Sequence, residues 1–135
     1  MSLQIKPIPA FEDNYIWAIH DSKHVVLIDP GDAVPAMNFI EKYKLKLSAI
    51  LITHHHHDHI GGVTELLRYF ACEVFAPEDG RITFAKTVVK ENDPVKLPEL
   101  GLELHVIETP GHTLSHVCYF NDDWLFCGDT LFSMG

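Results

Sequence analysis

The segment Thr53-His54-His55-His56-His57-Asp58-His59-Ile60-Gly61-Gly62 crowds five histidines and an aspartate into a junction between two apolar patterns. Ser48 to Thr53 reads as a buried strand, and Ile60, Val63, Leu66, Leu67 and Phe70 keep one helical face. An affinity tag stands at a terminus, whereas this run is internal and Asp58 interrupts it. A plain solvated loop gains nothing from crowded imidazoles, which repel one another once protonated. Metal binding explains the residue choice better. Neutral imidazole and carboxylate suit zinc, iron or manganese alike.

Geometry narrows the local backbone. On a strand, positions 54, 56 and 58 share a face and 59 points away; on a helix, 54 and 58 share a face and 56 lies opposite. Neither regular element turns all four side chains inward, but a strand-to-helix loop can. His54 and His56 would then serve one metal, and Asp58 and His59 a second. His55 and His57 would point away. Gly61-Gly62 would let the helix start pack closely behind the site.

Elsewhere the chain alternates strands and helices. Ile5 to Pro9, broken by Pro7, Tyr15 to His20 and His24 to Ile28 read as short strands, with a turn at Asp21-Ser22-Lys23. Asp32 is a good N-cap for a helix reaching about Leu45, with Val34, Met37, Ile40 and Tyr43 as its repeating apolar face. Cys72 to Ala76 and Leu102 to Glu108 read as strands, and His116 to Phe120 with Trp124 to Cys127 as a hairpin. Residues 77–98 carry turn signals without a clear period. The order predicts an α/β layered domain.

Composition excludes several classes. Hydrophobic residues make up 47% and charged residues 21%, which argues against disorder. With 10 Lys and Arg against 19 Asp and Glu, and only Arg68 and Arg81 as arginines, no basic stripe exists, so nucleic acid is excluded as a partner. No apolar run approaches the ~20 residues that span a bilayer, and no secretory signal opens the chain. A cytoplasmic protein without membrane contact is expected. Cys72, Cys118 and Cys127 follow no CxxC pattern and are expected to be reduced.

Two later segments share the cluster's character. His112 follows the Thr109-Pro110-Gly111 turn, and Asp129 follows the apolar run that ends at Cys127. A turn histidine and a helix N-cap would account for each alone. Both stand at strand ends, where α/β sheets place their sites, and beside the cluster they read as further ligands.

Taken together, His54, His56, Asp58 and His59 as H-x-H-x-D-H, His112 in TPGHT and Asp129 in GDT resemble the metallo-β-lactamase superfamily. FEDNYIW, THHHHDHIGG, TPGHTLSHVCYF and LFCGDTLFS are most similar to its glyoxalase II (hydroxyacylglutathione hydrolase) family. The resemblance implies an αββα sandwich, of which residues 1–135 would supply about the N-terminal half as one domain cut short at its C-terminus. It implies two divalent ions, zinc first, with iron or manganese as alternatives. His54, His56 and His112 would hold the first, Asp58 and His59 would help hold the second, and Asp129 would bridge them. Asp58 would also orient the attacking water. The implied reaction is hydrolysis of S-D-lactoylglutathione to glutathione and D-lactate. Asn14, Tyr15 and His116 match family positions with supporting roles.

The family pattern continues past Gly135, with a further histidine for the second metal and most glutathione-binding residues; no histidine follows His116 here. A half sandwich would leave an apolar sheet face uncovered, to be closed by a missing C-terminal half or a second chain. Alternative readings on the same ligands are a mono-iron oxygenase acting on glutathione persulfide and a metal-binding fragment without catalysis.

Overall fold

A computed structural model describes residues 3–11, 14–54, 60–109, 116–128 and 130–133. Two sheets pack face to face. The first has the strand order β1 (Gln4–Ala10), β2 (Asn14–His20), β3 (His24–Ile28), β4 (Lys46–Leu51), β5 (Glu73–Pro77), β6 (Thr87–Val89). Pairing is antiparallel from β1 to β3 and parallel from β3 to β6. The second sheet, antiparallel throughout, contains β7 (Pro94–Leu97), β8 (Leu102–Glu108), β9 (Val117–Phe120), β10 (Trp124–Cys127) and β11 (Thr130–Ser133) in neighbouring order.

Helices α1 (Ala33–Tyr43) and α2 (Val63–Tyr69) cover the outer face of the first sheet. This explains the unbroken apolar run of β3. Val25 and Leu27 face the helices, while Val26 and Ile28 face the second sheet. A strand buried on both faces has no polar side to alternate with. Leu51 and Phe75 continue the inter-sheet core, where Val95, Leu104, Val106, Val117, Tyr119 and Phe126 meet them. The inner faces of the two sheets thus cover one another. Among the described elements both helices lie on the first sheet. The outer face of the second carries Ile107, Cys118, Phe120, Leu125 and Cys127.

Two local expectations are corrected. Pro7 does not break β1; it pairs with Trp17, and Pro9 with Tyr15. The strand lies at the sheet edge, where alternate residues need no amide donor. On α1 the buried residues are Ala33, Ala36 and Ile40, while Val34 is 64% exposed and Tyr43 37% exposed. A strict three-residue step lags the helix by about 60° each time, so Val34 and Tyr43 lie on opposite sides. The helix stops at Tyr43, with Lys44 left-handed at φ 54°. Residues 77–98 hold two short strands, β6 and β7, which periodicity over so few residues does not reveal.

Other expectations hold. Asp32 caps α1 by accepting from Val34 N at 3.1 Å. Asp21 Oδ1 closes the β2–β3 turn on Lys23 N and His24 N. All three cysteines are free of disulfides. Burial pushes the Cys72 thiol up to about 11; burial, then its hydrogen bond with Cys118, pushes Cys127 up to about 12.

Candidate metal centre

The carboxyl ends of β3 and β4 converge where the second sheet's β8–β9 connection begins and ends. Asp29 leaves β3 in a left-handed turn, φ 55°, with its amide bonded to Leu51 O at 2.9 Å. Its carboxylate, 1% exposed, accepts from Thr53 N at 2.7 Å and from Thr53 Oγ1 at 2.6 Å. A buried carboxylate is costly unless hydrogen-bonded, and Thr53 supplies two bonds.

Those bonds orient a histidine. Thr53 Oγ1 also lies 2.8 Å from His54 Nδ1. The hydroxyl has one proton and gives it to Asp29, so toward His54 it accepts. His54 Nδ1 therefore carries the ring proton, and the lone pair of the neutral ring is on Nε2. Ligating histidines commonly give their other N–H to an oxygen acceptor in this way. His54 itself is 3% exposed. Its ring stacks on His116 with centroids 4.8 Å apart and planes 24° apart. His116 Nδ1 meets Thr109 Oγ1 at 2.8 Å, so its ring is both packed and hydrogen-bonded.

The backbone around His54 is clamped from both sheets. Ile52 N donates to Phe75 O at 2.8 Å, and Val117 N donates to Thr53 O at 2.9 Å. Tyr119 Oη donates to Ile52 O at 2.6 Å. Burial, and then the charge of Asp29, holds the Tyr119 phenol well above its ordinary value, so it remains a donor. Behind the cluster, Gly62 N donates to Pro30 O at 2.9 Å. A β-carbon on Gly62 would lie 2.5 Å from Ala33 N and 2.7 Å from Pro30 O. The glycine thus locks the start of α2 against the β3–α1 turn.

Of the six expected ligands, His54 is described, and its donor chemistry fits a metal. His56, Asp58, His59, His112 and Asp129 lie outside the described residues. Asn14 and Tyr15 stand at the start of β2, where Tyr15 is half exposed beside Trp17. No sequence motif marks Asp29, Thr53, Thr109 or Tyr119 as functional. The one available signal was Asp29, a charged residue directly after the apolar VVLI.

The model of the metallo-beta-lactamase superfamily matches residues 10–135. The chain belongs to that superfamily. Membership implies a divalent-metal site. The chain is 50% identical over 133 residues to the hydroxyacylglutathione hydrolase of Thiobacillus denitrificans, covering 98% of this chain and 52% of that protein. It is 51% identical over 135 residues to that of Photobacterium profundum, covering 98% and 53%. The chain thus spans about half the length of the curated relatives it matches. Among solved structures, ETHE1 from Myxococcus xanthus superposes with a TM-score of 0.77 at 25% identity, covering 93% of this chain and 56% of that one. The BLEG-1 B3 metallo-beta-lactamase gives 0.75 at 26% identity, covering 88% and 68%. No helix among the described residues is long and apolar enough to cross a membrane.

Proposed function

We propose that this chain carries the metal-ligand half of a thioester hydrolase that converts S-D-lactoylglutathione and water to glutathione and D-lactate. The observation that carries this reading is the 50% identity, across 98% of the chain, to a hydroxyacylglutathione hydrolase. The oriented ring of His54 supports the metal dependence. On this reading the rest of the substrate site corresponds to the part of the relatives that this chain does not span.

His54, His56 and His112 would hold one cation, Asp58 and His59 a second, and Asp129 both. When bound, divalent cations supply Lewis acidity, lowering the pKa of water from roughly 15.7 to about 7 and polarising a carbonyl. The chain's own task is positional. Asp29 and Thr53 hold His54 in the tautomer that presents Nε2. Asp58 orients the water toward the thioester carbonyl. The glutathione sulfur leaves as a thiolate, and thiols have pKa values of about 8.5, so no strong general acid is required. Zinc is the first expectation, and imidazole with carboxylate accepts iron or manganese as well.

The test is elemental analysis of the purified protein beside its hydrolysis of lactoylglutathione. Bound metal that His54→Ala removes, with hydrolysis lost in the same variant, supports the reading. Retained turnover in His54→Ala or Asp58→Ala overturns it. Iron alone, with oxygen consumed on a glutathione persulfide, would favour the oxygenase reading instead.

A further inference from the structure

Cys118 and Cys127 stand directly opposite one another on β9 and β10. The register Phe120↔Leu125 and Tyr119↔Phe126, extended by one position, sets this pair opposite. Asn121 N donates to Trp124 O at 3.0 Å, so the 121–124 pair is hydrogen-bonded. Alternation along the ladder then makes 118–127 a non-hydrogen-bonded pair, the kind whose α-carbons approach to about 4.5 Å and whose side chains are closest. That spacing falls within the range of about 4.4–6.8 Å that a disulfide can bridge. The two sulfurs already lie 2.7 Å apart, with Cys118 donating to Cys127. Both side chains lie on the outer face of the second sheet, away from the inter-sheet core, and Cys127 is partly exposed. Cys118 is itself buried, as is Cys72, but Cys72 lies in the core beneath the helices of the first sheet, with neither other cysteine among its core neighbours.

We propose that Cys118 and Cys127 form a redox-responsive dithiol, a modification site that a hydroperoxide closes to an intramolecular disulfide. The more exposed Cys127 sulfur attacks the peroxide O–O bond as its minor thiolate form, the thiol proton leaving with the displaced hydroxide as one water, and becomes a sulfenic acid. The Cys118 sulfur attacks the sulfenic sulfur, forming the S–S bond. The displaced hydroxyl leaves with the Cys118 proton as a second water. In balance, two thiols lose two hydrogens and two electrons, and one hydrogen peroxide becomes two waters. The sulfurs need to approach by roughly 0.7 Å, with no register change in the hairpin. Closure also removes the Cys118 S–H beside Thr109 Oγ1, 3.6 Å away, the hydroxyl that holds His116. The modification thus sits one side chain from the histidine stack.

The experiment treats the reduced chain with hydrogen peroxide, blocks remaining thiols by alkylation under denaturing conditions, and maps peptides. No Lys or Arg separates Cys118 from Cys127, so cleavage is directed to Asp122 and Asp123 instead. The expected result is joint loss of two thiols, a cross-linked pair of peptides containing Cys118 and Cys127, and an alkylated Cys72. A dithiol reductant should restore all three thiols. The Cys118→Ser and Cys127→Ser variants should lack the cross-link while Cys72→Ser retains it. Wild-type mapping decides the matter even if a serine variant folds poorly. Oxygen addition at Cys127 without a cross-link overturns the proposal. So does a disulfide between chains, or three alkylatable thiols after oxidant.

Discussion

Tyr119 Oη, from the second sheet, donates to the carbonyl of Ile52 in the first at 2.6 Å, two residues before His54. The bond crosses the sandwich and fixes the end of β4 where it leaves the sheet. Tyr119→Phe leaves a buried carbonyl short of its donor, which costs about 1–3 kcal/mol. Denaturant unfolding should show a lower midpoint with an unchanged slope.

The same phenol gives a pH signature. Its folded pKa lies well above the ordinary 10.0, because burial and then Asp29 oppose ionisation. Above about pH 10 the unfolded chain loses this proton while the folded chain keeps it. The contribution is therefore complete below pH 10 and is lost as pH rises toward the folded value. Unfolding midpoints measured from pH 8 to 11, at roughly unit steps, should fall less steeply in Tyr119→Phe than in the wild type.

Asp29→Asn tests the orientation of His54. The asparagine carbonyl can still accept from Thr53 N, but its amide group can donate to Thr53 Oγ1. The threonine proton would then turn toward His54 Nδ1, and the ring proton would move to Nε2. Nitrogen NMR of the His54 ring should report that tautomer exchange. Metal affinity should fall about 10–100-fold, as it does when an orienting partner of a ligand is lost. An unchanged tautomer would show that the hydroxyl does not relay the orientation.

Gly62→Ala places a methyl group against backbone atoms only: Ala33 N, Asp32 C and Pro30 O, all within 2.7 Å. None can rotate away, so the β3–α1 turn and the start of α2 must separate. A loss of about 1–3 kcal/mol in unfolding free energy is expected. Gly80→Ala, where nothing lies within 4 Å, is the matched control and should change stability little.

Metal removal should destabilise the fold through linkage. A cation present at about 100 times its dissociation constant adds roughly 2.7 kcal/mol. A chelator should therefore lower the thermal midpoint of the wild type, and the shift should vanish in His54→Ala.

Much of the fold was legible because its causes are local. The Asp32 cap, the Asp21 turn, the doubly buried VVLI strand and the β9–β10 hairpin each follow from neighbouring residues. β6, β7 and β11 are three or four residues long and are strands because a neighbour pairs with them. The apolar face of α1 depended on which side the sheet lay, and that selected Ala33, Ala36 and Ile40 over Val34.

The sequence by itself supplied the candidate donors: imidazoles and a carboxylate between an apolar strand pattern and a helical one, then His112 and Asp129 further on. Tertiary structure decided what holds that junction. Asp29 reaches Thr53 across 24 positions, and Tyr119 reaches Ile52 across 67. Such bonds arise only once parallel strands align and two sheets stack. Local pattern cannot encode them, because the groups that meet share no segment of chain.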